Sequence, residues 1–197
     1  MSFGISTIKN LKRITEKKNR HIVVVGNGGS LLNSNKGVAI NSFTDVVRFN
    51  DYRLFGYEAD VGTKTTIWFT VNCELRKLKN KYKRVYFHSW NWDRTKVDCY
   101  YRLRGAFPEL LNTQRTDCIE LKANVPKYPN MAFSTGLIAI HILLREYDHL
   151  HLVGFDWGLD KYRHHYGDEE ARGDLHKPKL EWEYIQRLHK QGKITFL

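Results

Sequence analysis

The chain is poor in the residues that break or cross-link structure: 4 prolines and 3 cysteines stand among 197 residues. With 42% hydrophobic and 13% aromatic residues, this scarcity of proline excludes a disordered or collagen-like polymer. No stretch approaches the roughly 18 consecutive apolar residues of a bilayer-spanning helix. The polar N-terminus also lacks the apolar segment of a secretory signal. The length suits one domain with a sizeable core, and no repeat or linker divides it. Residues 1–20 read as a basic lead and residues 21–197 as the domain. None of Cys73, Cys99 and Cys118 lies within CxxC spacing of another, which argues against a zinc site or a redox pair. All three are expected to be small buried hydrophobes, in a chain kept in a reducing, cytoplasmic compartment.

Acidic charge is also short. Asp and Glu number 21 against 32 Lys and Arg, a net charge of +11. Such an excess calls for an anionic partner: a nucleic acid, a membrane surface or an anionic substrate. The basic residues are dispersed, with short runs at residues 9–20 and 76–84. Zinc-finger spacing, RNP-type aromatics and a long arginine-rich arm are all missing, so no nucleic acid is expected as partner.

The β-branched run of residues 21–25 closes on Gly26-Asn27-Gly28-Gly29, a pattern for a buried parallel strand feeding a helix or loop. Further strands are expected at residues 45–49, 65–70, 84–88, 118–121, 149–154 and 193–197. Helical patterns fall at residues 72–82, 94–111, 134–147 and 179–189. The third of these is apolar around most of its circumference and therefore buried, with Ser134 or Thr135 as N-cap. Alternating strands and helices predict an α/β fold, a single-domain Rossmann-like parallel sheet flanked by helices. Residues 157–179 are polar, rich in Gly and His, and too long for an ordinary connection, which suits a lid.

Three places carry chemistry. The glycine turn follows the first strand, where an α/β sheet offers ligands its carboxyl ends. Missing side chains there would let backbone N–H groups approach a phosphate, although the turn is neither a P-loop nor a full GxGxxG, because Leu31 holds the last position. Ser134-Thr135-Gly136 opens the buried helix with two hydroxyls and unpaired N–H groups, a start suited to an anion. Of 9 histidines, His164, His165 and His176 fall within thirteen residues of the expected lid. A cluster of that kind can supply a general base, a proton donor or a phosphate contact near neutral pH. It has neither cysteine nor a His-Glu-x-x-His helix, so no metal is assigned.

Together these residues resemble a family. Val25-Gly-Asn-Gly-Gly-Ser-Leu-Leu-Asn-Ser, Asp45-Val-Val-Arg-Phe-Asn50-Asp51 and Asp60-Val-Gly-Thr-Lys-Thr-Thr66 are similar to the large sialylmotif of the glycosyltransferase family 29 sialyltransferases. Phe133-Ser-Thr-Gly-Leu-Ile-Ala-Ile-His141 through Val153-Gly-Phe155 resembles the small motif. Lys161-Tyr-Arg-His-His-Tyr166 resembles the third, and His176-Lys-Pro-Lys-Leu-Glu181 the very small one. The four stand in the family's order and span most of the chain.

The resemblance implies a metal-independent variant of the GT-A fold and inverting transfer of sialic acid from CMP-sialic acid to a glycan hydroxyl, without a cofactor. It would place Asn27, Gly28 and Asn50 at the CMP moiety, Ser134, Thr135 and Gly136 at its ribose and phosphate, and Gly154 and Phe155 beside the cytidine. His164 or His165, with Tyr166, would stabilise the departing phosphate. His176 would be the general base and Glu181 would orient the local structure. No Asp-x-Asp is present, in keeping with donor groups replacing a metal ion. The animal Golgi enzymes join the large and small motifs by a disulfide, whereas here the matching places are His21 and Tyr147. Gly154-Phe-Asp156-Trp157 departs from the usual Gly-Phe-Gly and is similar to the bacterial family 42 sialyltransferases. Residues 70–130, where the acceptor would bind, match nothing usable. Two alternatives stand beside this reading: transfer of another CMP-activated keto acid such as Kdo, and a non-catalytic CMP-sugar or glycan-binding module. The unassigned basic charge is expected to meet anionic acceptor glycans, including lipid-linked ones, through peripheral membrane contact.

Overall fold

The computed structural model describes residues 21–89, 93–129, 132–157 and 176–197. The basic lead and nearly all of the expected lid lie outside these. Seven parallel strands form one sheet: β1 (Ile22–Val25), β2 (Asp45–Phe49), β3 (Ile67–Thr70), β4 (Arg84–Phe87), β5 (Leu111–Asn112), β6 (Leu150–Val153) and β7 (Ile194–Phe196). The order across the sheet is β5-β4-β3-β2-β1-β6-β7. Succession runs outward from β1 in one direction as far as β5, then resumes at β6 on the other side of β1. The strand order therefore reverses between β1 and β6, where an open α/β sheet leaves a crevice outside the strand ends.

Both faces are covered. Side chains alternate along each strand, so Ile22, Val24, Val47, Phe49, Ile67 and Phe69 join one core. Helices α4 (Arg115–Asn124), α5 (Thr135–Leu143) and α6 (Pro178–Lys190) complete it with Leu121, Ile138 and Ile185. On the opposite face Val23, Val25 and Val46 pack with Ile40 of α1 (Gly37–Ser42) and Val61 of α2 (Glu58–Val61). Trp68 and Val85 pack there with Leu103 of α3 (Arg94–Ala106).

Three expected elements differ. Residues 118–121 are not a strand but lie within α4, whose start is held by a reciprocal cap: the Asp117 carboxylate accepts the Gln114 N–H at 2.6 Å, and the Gln114 side chain accepts in return. That cap and the burial of Cys118 and Leu121 one turn apart override the strand preference of the local residues. Residues 72–82 form only a 3-10 turn at Leu75–Lys77, because Arg76 reaches back to Asp51 and Lys77 to the Tyr52 carbonyl instead of lining a helical stripe. Helix α3 stops at Ala106 rather than continuing to residue 111, since the residue before Pro108 is driven out of the helical region.

Buried charge is resolved by pairing. Arg48 is 1% exposed and donates from Nε to the Lys64 carbonyl and Thr65 Oγ1, both at 3.1 Å, with a further bond to the Val61 carbonyl. Asp45, also 1% exposed, accepts from Lys83 Nζ at 2.7 Å and from the Tyr147 hydroxyl at 3.0 Å. Arg84 Nη2 donates to that same hydroxyl at 2.7 Å, and Arg84 also pairs with Glu146. Tyr147, one of the two positions where the resemblance puts a bridging cysteine elsewhere, thus carries a polar cross-link. Tyr147→Phe should lower stability by about 1–2 kcal/mol in urea denaturation, because it removes two hydrogen bonds to charged partners.

His88 is 2% exposed, and its Nδ1 meets Thr113 Oγ1 at 2.6 Å. Burial pushes its pKa down to about 4, opposed in part by Asp117. Above pH 6.5 both folded and unfolded chains hold this histidine neutral. Below it the unfolded chain takes up a proton that the folded chain refuses until about pH 4. Stability should therefore fall by about 2 kcal/mol between pH 7 and 5 on account of this residue. Urea midpoints across that range should show a flatter dependence in His88→Asn.

Candidate active site

The crevice between β1 and β6 is an open-mouthed cleft of about 150 Å³, assembled from segments far apart in sequence. The turn after β1 contributes Gly26, Asn27 and Gly28, and the end of β2 contributes Asn50. Ser134, Thr135 and Gly136 enter from the start of α5, Gly154 to Trp157 from the end of β6, and His176 and Glu181 from the start of α6. Every candidate residue within the described segments therefore lines one cavity. His164, His165 and Tyr166 lie outside the described residues.

Glu181 organises one wall. It is fully buried, and its Oε1 accepts the Tyr128 hydroxyl and the Ser134 N–H, both at 2.9 Å, while Oε2 accepts the Ser134 hydroxyl at 2.6 Å. Ser134, rather than Thr135, is the N-cap of α5, and its Oγ accepts the Leu137 N–H at 3.2 Å. The N–H groups of Thr135 and Gly136 in the first helical turn have no partner within the helix. The Tyr128 hydroxyl also accepts from the Lys177 N–H at 3.0 Å, next to His176. His176 Nδ1 lies 3.0 Å from the Ala132 carbonyl. A carbonyl can only accept, so Nδ1 carries the proton, and in the neutral ring Nε2 is left with its lone pair.

In the opposite wall the glycine turn is fastened to β6. The N–H groups of Gly26 and Gly28 donate to the Val153 and Gly154 carbonyls at 2.8 Å, and that of Ser30 to Asp156 Oδ2 at 3.1 Å. These three N–H groups are committed to β6 and its continuation. The glycines are needed for packing: a Cβ on Gly28 would stand 2.5 Å from Asp156 Oδ2, and one on Gly136 2.6 Å from the Phe155 ring. After the turn comes a single 3-10 turn at Gly29–Leu31, not an α-helix.

Asn50 has a left-handed backbone, φ 49°, and its Oδ1 accepts the Val71 N–H at 3.1 Å. Asn27 Nδ2 donates to the Phe49 carbonyl at 3.3 Å. Phe155 stacks on Trp157 at 4.8 Å between centroids, and Trp157 meets Trp182 at 5.4 Å. Asp156 and Trp157, which line the cleft, and Trp182, which packs against Trp157 outside its lining, were not among the expected residues. The signal for the first two lay in their position directly after Gly154-Phe155, whereas Trp182 offered none. Among the described residues no cluster of His, Cys, Asp and Glu could hold a metal ion, and no helix is long and apolar enough to cross a membrane.

Comparison with known proteins fits this geometry to a family. The profile of glycosyltransferase family 29 (sialyltransferase) matches residues 2–89 and 76–193. The chain belongs to this family. It is 28% identical over 225 residues to the human CMP-N-acetylneuraminate-beta-galactosamide-alpha-2,3-sialyltransferase 4, a match covering 94% of this chain and 66% of that protein. The chain thus spans about two thirds of the length of this relative. Its fold is shared with a mammalian sialyltransferase crystal structure at a TM-score of 0.73 and 23% identity, over 90% of this chain and 68% of the other. It is also shared with the monofunctional alpha-2,3-sialyltransferase Cst-I of Campylobacter jejuni, at a TM-score of 0.60 and 18% identity, over 93% and 78% of the two chains.

The Glu181 wall yields a direct test. Glu181→Gln replaces one carboxylate oxygen by a donor facing donors, so urea denaturation should show a loss of about 2–3 kcal/mol. Amide exchange should accelerate at Ser134 and Leu137 more than in the sheet.

Proposed function

We propose that this chain transfers sialic acid from CMP-sialic acid to a glycan hydroxyl, with inversion and without a metal ion. The observation that carries the reading is the meeting of His176, with Nε2 as its acceptor, and the uncovered first turn of α5 in one cleft at the strand-order reversal. The names of the related enzymes supply the donor, CMP-N-acetylneuraminate, and suggest a galactosyl acceptor.

In the proposed step His176 Nε2 takes the proton of the acceptor hydroxyl as its oxygen bonds to the anomeric carbon. The bond from that carbon to the phosphate oxygen breaks, and CMP departs on the opposite face. Its developing charge needs donors placed in advance. The α5 N–H groups of Thr135 and Gly136 and the Thr135 hydroxyl fill part of that role, with His164, His165 and Tyr166 proposed for the rest. Asn27, Gly28, Asn50, Gly154 and Phe155 are proposed to bind the nucleotide. Glu181 acts by holding Ser134 and, through Tyr128, the backbone beside His176.

The basic run at residues 76–84 supports a membrane role less than its composition suggested. Arg76 pairs with Asp51, Lys77 lies over the Tyr52 ring, Lys83 pairs with Asp45 and Arg84 with Glu146. Lys79 and Lys81 remain exposed.

CMP release from CMP-N-acetylneuraminate, measured on a panel of β-galactosides with and without EDTA, tests the proposal. Turnover that survives EDTA is expected, and His176→Ala should lower kcat at least 100-fold, the scale of a lost general base, while CMP binding by calorimetry stays within a few-fold. Turnover only with CMP-Kdo would move the chain to the other keto-acid donor. CMP binding without turnover of either donor would make it a binding module.

A further inference from the structure

Cys73 and Cys99 are 26 positions apart, yet the fold brings their sulfurs to 3.3 Å. Cys73 follows β3 in the loop at residues 71–74, and Cys99 sits one turn into α3. Two more contacts fasten the same helix face to this loop. The Cys73 N–H points at Cys99 Sγ, 3.3 Å away, and Lys96 Nζ donates to the Val71 carbonyl at 2.7 Å and to the Asn72 side chain. The sulfurs are thus held together by backbone that is itself anchored. The thiols differ in access: Cys73 is half-buried, whereas Cys99 is 8% exposed in the core beneath α3. The third cysteine, Cys118, lies in the core on the other face of the sheet and has no part in this arrangement.

We propose that Cys73 and Cys99 are a dithiol built to close into an intramolecular disulfide on contact with a small-molecule disulfide oxidant such as oxidised glutathione. The Cys73 thiolate attacks one sulfur of the oxidant, breaking its S–S bond and releasing one glutathione thiol. The Cys99 thiolate then attacks Cys73 Sγ of the mixed disulfide and releases the second. The two cysteines lose two electrons and two protons, and the oxidant becomes two thiols. Closing the bond brings the sulfurs from 3.3 Å to about 2.05 Å. Burial pushes the Cys73 thiol up, with Arg102 opposing, so attack should quicken as pH rises from 7 to 9. The link would tie α3 to the loop whose Val71 N–H is held by Asn50, a lining residue of the cleft.

The test uses the folded full chain treated with oxidised or reduced glutathione, then alkylated before digestion. The expected product is a Cys73–Cys99 cross-linked peptide two hydrogens lighter than the dithiol, with Cys118 alkylated only after unfolding. The oxidised protein should melt about 5–10 °C higher than the reduced one, since a closed loop of this length restricts the unfolded chain. Both effects should vanish in Cys73→Ser, a change at a half-buried position, and in Cys99→Ala. A stable glutathione adduct on Cys73, dimers linked between chains, no oxidation of the folded protein, or a melting shift that persists in Cys73→Ser would each overturn the proposal. These readouts are covalent state and melting, so they stand or fall independently of sialic acid transfer.

Discussion

The carboxylate of Glu181 ties the first turn of α6 to the start of α5 and to Tyr128. It sits in the first turn of α6, is closed off from water, and gathers the Ser134 N–H, the Ser134 hydroxyl and the Tyr128 hydroxyl. A charge in that position requires all its donors, because an unpaired buried carboxylate would be too costly to retain. Satisfying it sets the start of α5, and so the direction of the N–H groups that enter the cleft. Through Tyr128 and Lys177 it also sets the backbone next to His176. The histidine ring makes its Nδ1 bond to the Ala132 carbonyl, which leaves Nε2 as the acceptor in the neutral ring. His176 and the start of α5 are thus coupled through one buried side chain.

The other wall is held by a different kind of constraint, close packing. The glycine turn and the Gly154–Trp157 segment press together so tightly that a methyl group at Gly28 would collide with Asp156. Three N–H groups of the turn, those of Gly26, Gly28 and Ser30, are used in that contact. The α5 side of the cleft presents the first turn of a helix, while the β1 side presents the side chains of Asn27 and Asn50 beside Phe155. The stack of Phe155, Trp157 and Trp182 continues this packing away from the cleft.

The large positive charge has a more modest meaning than its total suggests. Arg48, Lys83 and Arg84 serve the interior, where they meet carbonyls, Asp45, Tyr147 and Glu146. The described cleft lining holds two carboxylates and neither lysine nor arginine. Charge count alone would have put a cationic pocket there. Its polar character comes instead from a helix start, with the partial positive charge of its N–H groups, and from amide and hydroxyl side chains.

Periodicity and local signals in the sequence were enough for the parallel α/β class, six of the seven described strands, the buried helix at α5 and the ordered set of motifs. These depend on neighbours in the chain: apolar runs, a cap residue, a glycine after a strand. Local signals misled where distant partners decided, as at residues 118–121, where the Asp117 cap and core burial made a helix. The two-residue β5 and the turn at residues 75–77 carried too little pattern to be seen. What no local pattern contains is proximity. The meeting of Asn27, Asn50, Ser134, His176 and Glu181 follows from strand order, which places the ends of β1, β2 and β6 side by side. The contact of Cys73 with Cys99 follows from the docking of α3 on the loop after β3. Residue type determined what each group can do; only the packed sheet determined which groups act together, because side-chain chemistry is local and juxtaposition belongs to the whole chain.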